Sequence, residues 1–590
     1  MLSDLPSEII YHIALYLPTA NALTNLSQTC HRLYRIISAD EYRLFRALVQ
    51  SKFPCTPTPA FWKDAACALT SRSRALDRLG VIGRFIVLPE TVTRIGCQQT
   101  TRRDNPTLGY RPAIDSYEIW NGAAWADRKE VLAWGAAHQL VVRVKQSGKN
   151  PHMNWILFND LEDVSSYEDI CGVHIMQPEL SKETDTENLI FGRRRGDIVH
   201  LAVSPSQEHH EYRKKFKTYG LELDRTDVSQ GAHSTLSAHF DDGSIAFYNT
   251  ASDQEEVDAF AWIRNETGSL GRSRYSKLLS PSKVAVATGE MERPLSISTI
   301  SPEGVSLDRV IDVHSLDIEE RINRVHASVT SIAPLDTLQS HSESPGHIFL
   351  AAWGDRTIRL HDLRSPRSYE KTYRDTTDGN LVYCVHSLGN DRFLAGSSGD
   401  GLVKMFDLRM GRSYNYREAQ TPQASNKGNR DDRPSNDFSM FLSANLPPDL
   451  TRHIPRPHRR GQQSYRGPIY SMSTPSPSSP TVYTGVVDGI IRLDFASTDD
   501  LTGPVKEWYD YNLDLGVEKG QPGVAAAEDQ VFKIAGYERP AQDDYTTTSK
   551  LRTQHGYWYL MPNDMENEMV TGWDRRWEPL AKPGAWRRRD

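Results

Sequence analysis

The stretch IFLAAWGDRTIRLHDL, residues 348–363, shows the pattern on which the larger part of this sequence is built. It contains an apolar run, a turn formed by Gly354, Asp355 and Arg356, and a second run in which apolar and polar residues alternate. Short runs rich in β-branched and aromatic residues on both sides of such a turn are typical of a β-hairpin. Residues 392–408, RFLAGSSGDGLVKMFDL, repeat the pattern, which indicates a repeat architecture.

Five further windows share this hairpin pattern and bring the number of hairpins to seven. They begin at Val131, Leu189, Ser234, Val284 and Thr481. The turn aspartates of the two hairpins quoted above lie 45 residues apart, at 355 and 400. This interval is close to the period of about 40 to 45 residues that is typical of four-stranded propeller blades. The sequence therefore predicts an all-β, seven-bladed propeller.

A ring of blades needs a closing strand, because an open ring would leave unpaired sheet edges. Three segments are candidates: VIGRFIVL from Val81, VFKIAGYERP from Val531 and EMVTGWDRRW from Glu568. The last two are also candidates for an eighth blade. The prediction is seven blades, because seven hairpins are visible.

The first eighty residues follow helical spacing instead. Leu5, Ile9, Ile13 and Leu17 recur at steps that place them on one face of a helix. Two more short amphipathic helices follow, and a connecting helix is predicted to end before Gly80, where a glycine commonly stops a helix. Helices shorter than about 12 to 15 residues are marginal in water by themselves. We therefore expect this helical module to pack on something else, including another chain.

The composition excludes several classes of function. The chain has 590 residues, of which 69 are Lys or Arg and 76 are Asp or Glu, so its net charge of −7 gives no global field that would attract nucleic acid or a membrane. The six cysteines form no C-x-x-C pair, and no apolar run approaches the roughly 18 residues of a membrane span. We expect a cytoplasmic or nuclear protein, or one found in both.

Enzyme motifs are absent from the sequence. It contains no G-x-x-x-x-G-K-[ST] phosphate loop, no H-E-x-x-H metal pair, no EF-hand loop and no G-x-S-x-G elbow. An Asp in a hairpin turn is first a structural hydrogen-bond acceptor. We therefore expect no catalysis by the chain itself, no cofactor and no metal.

One segment interrupts the hairpin series. Residues 412–480 are rich in Pro, Ser and Asn, and such polar sequence cannot bury a core. Its basic part, residues 452–466, is a candidate for nuclear localisation or anion binding, and the simpler interpretation is a solvated loop.

The N-terminal helices carry a family resemblance. The sequence LPSEIIYHIALYLPTANALTNLSQTCHRLYRII resembles an F-box over roughly residues 3–45. The resemblance rests on the Leu5-Pro6 opening, the Leu17-Pro18 break and the Cys-His-Arg-Leu stretch that ends at Leu33, all in the expected order.

Two of the hairpins, residues 348–363 and 392–408, resemble WD repeats. His361 and Phe406 stand where the family usually has tryptophan, and His326 stands where the family places a loop histidine. The other five windows lack the Gly-His and Trp-Asp signatures, so this resemblance covers part of the propeller only.

Together the resemblances imply a multidomain substrate receptor of a Skp–cullin–F-box ubiquitin ligase. The small all-α F-box module would occupy residues 1–50, a helical connector 51–80, and the WD-repeat-like propeller 81–580 with its polar insertion at 412–480. The F-box would bind the Skp-type adaptor and, through it, cullin. The propeller would bind the client protein to be ubiquitinated, in phosphorylated or unphosphorylated form.

The resemblance assigns candidate residues to both surfaces. The residues that would contact the adaptor are apolar and lie in the F-box: Leu5, Pro6, Ile9, Ile13, Leu17, Pro18, Leu23, Leu26 and Leu33. The residues that would contact a client are arginines in or beside predicted turns: Arg193, Arg194, Arg195, Arg324 and Arg356. Arginine suits this role because it donates paired hydrogen bonds to carboxylate or phosphate, although exposed turn arginines also simply solvate a surface. Two alternatives stay open, namely a propeller scaffold without a role in degradation and a propeller hydrolase.

Overall fold

A helical module at the N-terminus is followed by an all-β propeller. The structure is a computed structural model. It describes residues 4–17, 19–53, 61–97, 99–105, 109–120, 124–148, 151–176, 186–204, 208–229, 234–264, 273–316, 324–335, 346–389, 391–408, 438–442, 467–503, 506–513, 529–539, 549–554, 573–579 and 585–586.

The helical module contains four helices: α1 (Ser7–Leu15), α2 (Ala20–Gln28), α3 (His31–Lys52) and α4 (Trp62–Asp77). Thr19 caps α2, because its Oγ1 accepts a hydrogen bond from the backbone N–H of Ala22 at 3.1 Å. The backbone of α3 is non-helical at residues 39–42, so this helix consists of two shorter parts. The second part packs against α4, the connector helix, through Phe45 and Leu48.

The described strands form seven blades. The strands up to and around blade one are β1 (Ile82–Ile86), β2 (Thr93–Gly96), β3 (Thr101–Arg102), β4 (Ile114–Trp120), β5 (Arg128–Ala136), β6 (Gln139–Gln146), β7 (His152–Asn159) and β8 (Asp163–Val164). Blades two and three contain β9 (Ile170–Met176), β10 (Glu187–Arg193), β11 (Ile198–Ser204), β12 (His209–Phe216), β13 (Leu223–Val228), β14 (Thr235–Phe240), β15 (Ile245–Asn249), β16 (Glu256–Val257) and β17 (Ala261–Ile263).

Blades four and five contain β18 (Tyr275–Ser280), β19 (Lys283–Ala287), β20 (Leu295–Ser301), β21 (Gly304–Ile311), β22 (Val329–Pro334), β23 (Ile348–Trp353), β24 (Thr357–Asp362) and β25 (Lys371–Arg374). Blades six and seven are built on β26 (Val382–Leu388), β27 (Arg392–Ser397), β28 (Leu402–Asp407), β29 (Phe438–Phe441), β30 (Ser471–Ser473), β31 (Thr481–Val486) and β32 (Gly489–Asp494). The C-terminal strands are β33 (Asp529–Phe532), β34 (Ala535–Glu538), β35 (Ser549–Gln554), β36 (Trp577–Pro579) and β37 (Ala585–Trp586). Three short α-helices, α5 (Arg324–Ala327), α6 (Thr498–Thr502) and α7 (Lys506–Leu513), and two 3-10 helices, Ser166–Glu168 and Val313–Ser315, complete the described elements.

The blades form a closed ring. The inner strands β4, β9, β13, β18, β22, β26 and β30 each contact the next one, and β30 returns to β4. Each of the seven predicted hairpins is the pair of middle strands of one blade. The predicted fold class, a small all-α N-terminal module followed by a seven-bladed all-β propeller, is therefore confirmed.

The segment from Val81 supplies the closing strand. It forms β1, which pairs antiparallel with β32 and so becomes the outer strand of blade seven. Arg84 of β1 forms a buried ion pair with Asp494 of β32 at 3.1 Å. The segment from Val531 adds β33 outside β1 and β34 outside β29, so it builds no eighth blade.

The predicted insertion at 412–480 contains described strands as well as undescribed residues. β29 forms the outer strand of blade six, and β30 forms the inner strand of blade seven. The basic segment 452–466 lies outside the described residues.

The helical module packs directly on the propeller. Leu69 of the connector helix shares a hydrophobic core with Trp125 of blade one and Leu501 of α6. Arg72 of the same helix is buried, and it donates hydrogen bonds to the carbonyl oxygens of Pro477 and of Ser479, the latter at 3.1 Å. Burial lowers the pKa of the Arg72 guanidinium to about 10. The module is therefore seated on the propeller through both apolar and polar contacts.

His361 gives the fold a pH dependence. Its ring is buried and stacks on Phe349 at 4.9 Å, as Phe406 stacks on Phe393 at the equivalent place in blade six. Burial lowers the pKa of His361 to about 3. An unfolded chain carries histidines with a pKa of about 6.5, so it binds more protons than the folded chain below that pH. The contribution of His361 to stability is thus present above pH 6.5 and is lost as the pH falls towards 3.

We predict that His361→Phe makes unfolding less sensitive to acid. Between pH 7 and pH 5 the variant should lose about 2 kcal/mol less free energy of unfolding than the wild type, as measured by urea titration at both pH values. The control is His314→Phe, which makes the same substitution at an exposed histidine. Equal losses in the His361 variant and the wild type would contradict the prediction.

Candidate functional site

An apolar stripe runs along the outer face of α1. Pro6, Ile9, Ile13 and Tyr16 follow one another at steps of three and four residues, and Ile9, Ile13 and Tyr16 are 44%, 37% and 87% exposed. The opposite face, including Ile10, is buried in the module. We call these four exposed residues the α1 stripe. Contiguous exposed apolar side chains of this kind usually mark a site of protein interaction.

The structure separates the predicted adaptor residues into exposed and buried ones. Pro6, Ile9 and Ile13 belong to the α1 stripe. The side chains of Leu23 and Leu33, in contrast, are 1% and 3% exposed. Their assignment to the adaptor surface is corrected, because they lie on helix faces that turn towards the module interior and support it.

The other predicted adaptor residues that the structure describes are intermediate in solvent exposure. Leu5, Leu17 and Leu26 are half-buried, and Leu17 and Leu26 pack against the core of the module. The backbone carbonyl of Leu5 accepts a hydrogen bond from Arg32 at 2.8 Å, which fixes the start of α1 against α3. Pro18 lies outside the described residues.

Two exposed aromatic residues of the F-box are missing from the predicted set of adaptor residues. Tyr16 and Tyr34 are 87% and 51% exposed. Tyr16 was detectable in principle, because it lies three residues after Ile13 and so extends the same helix face. The exposure of Tyr34 depends on the packing of α3 and has no signal in the sequence.

All seven turns between the second and third strands lie at one end of the propeller, because the chain runs through each blade in the same direction. We call this the turn end. Arg193, Arg194 and Arg195 fall in or beside the turn of blade two, and Arg356 falls in the turn of blade five. Arg324 begins α5, just before the inner strand of blade five, and its side chain lies outside the described residues.

The arginines of blade two differ in their surroundings. Arg193 is buried, forms an ion pair with Asp160 and is therefore structural. Arg195 forms ion pairs with Asp197 at 2.6 Å and with Glu168 at 3.6 Å, and its hydrogen bond to Asp197 raises the pKa of its guanidinium.

Arg194 and Arg195 are the exposed ones among the predicted arginines whose side chains are described, and Arg195 is already paired with carboxylates. Arg194 is exposed, and its guanidinium lies 6.0 Å from the ring centre of Tyr167. Arg356 is half-buried in a left-handed backbone conformation, with φ of +69°. Arg194 and Arg356 belong to blades two and five, so the structure does not bring them together.

Arg194 has arginine and aromatic neighbours that the sequence prediction missed. Arg225 of β13 lies 4.4 Å from the ring centre of Tyr275, the first residue of β18. Burial raises the pKa of the Cys171 thiol to about 12, although the guanidinium groups of Arg194 and Arg225 act to lower it. The backbone N–H of Leu223, the first residue of β13, donates to the carbonyl of Arg194 at 2.8 Å, so Arg194 and Arg225 both lie where blades two and three meet.

A third pair extends this surface outwards. The guanidinium of Arg264 lies 5.5 Å from the ring centre of Trp262, and the ring of Tyr219, which is 69% exposed, lies 6.3 Å from the same tryptophan. We call the three pairs the arginine–aromatic rim: Arg194 with Tyr167, Arg225 with Tyr275, and Arg264 with Trp262. No local pattern reveals the rim, because its members come from three blades.

The turn aspartates act as structural acceptors. The carboxylate of Asp355 accepts hydrogen bonds from the hydroxyl of Thr357 at 2.6 Å and from the guanidinium of Arg359 at 2.6 Å. That of Asp400 accepts one from the amide of Asn380 at 3.2 Å. In the part of the chain that the structure describes, no group of three or more His, Cys, Asp or Glu residues is arranged to hold a metal ion.

The architecture defines a class of protein. A closed propeller joined to a small helical module is an arrangement of interaction domains, and such domains are typically adaptors or scaffolds. Two family models agree with this: an F-box-like model matches residues 2–51, and a WD domain, G-beta repeat model matches residues 367–407, which include the outer strand of blade five and three strands of blade six. The chain thus combines an F-box-like domain with a WD-repeat propeller, and both predicted resemblances are confirmed.

Other comparisons add little. No curated protein matches the chain. Within the described ranges, no helix combines the length and the apolar character that crossing a membrane requires.

We predict that the buried and exposed apolar residues of the F-box respond differently to truncation. Leu33→Ala should destabilise the module by about 2 to 5 kcal/mol, because it leaves a cavity. Ile9→Ala should change stability by no more than about 0.5 kcal/mol, because the side chain is already largely exposed. Hydrogen exchange of peptides from α1 to α3 in the full-length chain measures both effects, and equal protection losses would contradict the prediction.

Proposed function

We propose that this chain is the substrate-recognition subunit of a Skp–cullin–F-box ubiquitin ligase. The F-box binds the Skp-type adaptor, which links the chain to cullin, and the propeller holds the client protein. The single observation that carries the proposal is the α1 stripe, an unpartnered apolar surface on an F-box-like domain.

The α1 stripe supplies the binding energy for the adaptor. Complete burial of one large aliphatic side chain contributes about 1.5 to 3 kcal/mol. Ile9 and Ile13 start at 44% and 37% exposure, so an adaptor that covers them removes a sizeable apolar area from water. Leu23 and Leu33 contribute indirectly, because they hold the helices that present the stripe.

The arginine–aromatic rim is the client surface that the structure favours. Tyr, Trp and Arg are the residue types that dominate the binding energy of protein interfaces. A guanidinium that lies over an aromatic ring can present its N–H edge to a carboxylate or a phosphate, as Arg225 already does to Asp224 at 2.9 Å. The rim is therefore suited to an anionic client segment, phosphorylated or not. Of the arginines predicted from the sequence, only Arg194 belongs to the rim.

The contribution to ubiquitin transfer is proximity. The chain performs no bond-forming step, and it raises the local concentration of the client near the transfer machinery that the adaptor and cullin carry. The contacts between the connector helix and the propeller support this role, because they hold the two binding surfaces on one body.

We predict that a double change in the α1 stripe abolishes adaptor binding. Ile9→Asp with Ile13→Asp places two carboxylates in a surface that must lose water on binding, and this should weaken adaptor affinity by at least about 100-fold. Co-purification with the adaptor and titration calorimetry measure the loss. The matched control is Leu307→Asp, because Leu307 is 63% exposed on blade four, away from the F-box. Unaltered affinity of the stripe variant would overturn the adaptor assignment.

We predict that Arg194→Ala with Arg225→Ala reduces client capture without affecting the adaptor. Affinity purification of the full-length chain, with and without phosphatase treatment of the lysate, should show clients that are retained by the wild type and lost from this variant. Arg367→Ala is the control, because its side chain is 74% exposed in blade five and lies outside the rim. Losses after phosphatase would identify phosphate as the recognised anion, and unchanged capture by the rim variant would exclude the rim.

The stripe variant also separates a ligase receptor from a scaffold. A captured client should have a longer half-life in cells that express the Ile9→Asp, Ile13→Asp chain. A half-life that does not respond would favour a propeller scaffold without a role in degradation.

A further inference from the structure

The helical module and the propeller are joined by a short junction. The connector helix ends at Asp77, and the closing strand β1 begins at Ile82. Within the junction, Leu79 has a left-handed backbone with φ of +59°. Gly80 passes so close to the propeller that a Cβ atom would lie 2.7 Å from the carbonyl oxygen of Ala496. By position these few residues are the pivot between the two halves of the chain.

The junction is held by residues from the C-terminal part of the chain. The last carbonyl groups of a helix have no partner within the helix and need an external donor. Here the carbonyl of Arg78 accepts from the backbone N–H of Asp574 at 2.7 Å. That of Leu79 accepts from the indole N–H of Trp577 at 2.7 Å. We call residues 573–577 together with Gln554 the C-terminal latch.

Gln554 completes the set of donors. Its side-chain amide donates to the carbonyl of Val81 at 2.6 Å, immediately before β1. The latch therefore satisfies three carbonyl groups along the junction, from the end of the helix to the start of the strand. Each of these hydrogen bonds spans more than 470 residues of sequence, as the Gln554 bond shows with a separation of 473.

The latch also binds α6, the short helix beneath the connector. The carboxylate of Asp574 accepts hydrogen bonds from both the backbone N–H of Thr498, at 2.7 Å, and its hydroxyl. Arg575 forms an ion pair with Asp499 at 2.5 Å, and Asp499 in turn pairs with Arg78 at 3.3 Å. The latch, α6 and the end of the connector helix thus form one three-way contact.

We infer that the C-terminal latch is a positioning element that fixes the angle between the F-box and the propeller. The latch residues belong neither to the α1 stripe nor to the arginine–aromatic rim. A hinge motion is absorbed by a few residues at the end of an element, and here those residues would have to give up buried hydrogen bonds to move. The consequence for ubiquitin transfer rests on the proposed function, because the efficiency of a tethered reaction depends on the span and stiffness of the tether.

The test removes two hydrogen-bond donors of the latch with substitutions that keep an aromatic ring at one position and a side chain of similar size at the other. Trp577→Phe loses the indole N–H, and Gln554→Met loses the amide. Dyes introduced as unnatural amino acids at Gln28 of α2 and Ser306 of β21, both exposed, report the distance between the two halves by energy transfer. We expect the distance distribution of the double variant to be broader than that of the wild type.

The matched control is Trp353→Phe. Trp353 is fully buried in blade five, and its indole N–H finds no hydrogen-bond acceptor among the described residues. Both variants therefore lose an indole from a propeller core, but only one loses a contact to the junction. If the double variant is less stable than the control, the single Trp577→Phe variant is measured instead, because it differs from the wild type by the same Trp-to-Phe change as the control. A distance distribution identical to those of the wild type and the control would overturn the inference.

A functional readout uses the chain as its own substrate. In a ligase reconstituted with adaptor and cullin, the wild type should be modified on a narrow set of its propeller lysines. In the latch variant, modification should spread over more lysines, and the initial rate should fall about threefold, with adaptor affinity unchanged. If the wild type fails to bind the adaptor, the proposed function is wrong, and the distance distributions alone then decide the role of the latch. Broader distributions together with an unchanged lysine pattern would contradict the positioning role.

Discussion

The pairing of β1 with β32 is the interaction on which the rest of the structure depends. It completes blade seven with a strand from the start of the propeller sequence, so the two ends of the ring are joined within one blade. β33 then covers the outer side of β1, and Gly83 makes this possible, because a Cβ atom there would lie 2.6 Å from the ring of Phe532. Since β1 follows the connector helix almost directly, the strand that closes the propeller also sets the place of the F-box.

Buried charges reinforce the closure. Arg143 and Glu130 of blade one form an ion pair at 3.0 Å, and Arg143 also donates to the hydroxyl of Tyr483 in blade seven at 2.6 Å. Burial by itself would raise the pKa of Glu130, but the neighbouring guanidinium groups, with Arg143 foremost, lower it to about 2. Removal of one partner from a buried pair typically costs about 3 to 5 kcal/mol. Such pairs therefore favour this one arrangement of first and last blades over others.

The two candidate surfaces differ in chemistry in a way that suits two kinds of partner. The α1 stripe is apolar and is supported by leucines that pack behind it, which is the composition of a stable docking interface. The arginine–aromatic rim is charged and partly exposed, and its members are held by separate blades. A surface of this kind gives specificity and fast association more than raw affinity.

The sequence by itself determined the local units, namely the helices of the F-box, the seven hairpins and the helix face that carries Pro6, Ile9 and Ile13, because periodicity and turn chemistry are encoded within a few neighbouring residues. Tertiary structure alone decided which apolar faces are covered, so Leu23 and Leu33 moved from the predicted surface to the interior. It also buried Arg193. The closing strand was one of three candidates until pairing with β32 selected it. The sequence singled out Arg194 but predicted neither the rim nor the latch as a set, since their residues meet only through the topology of the ring, and a local pattern carries no information about contacts between blades.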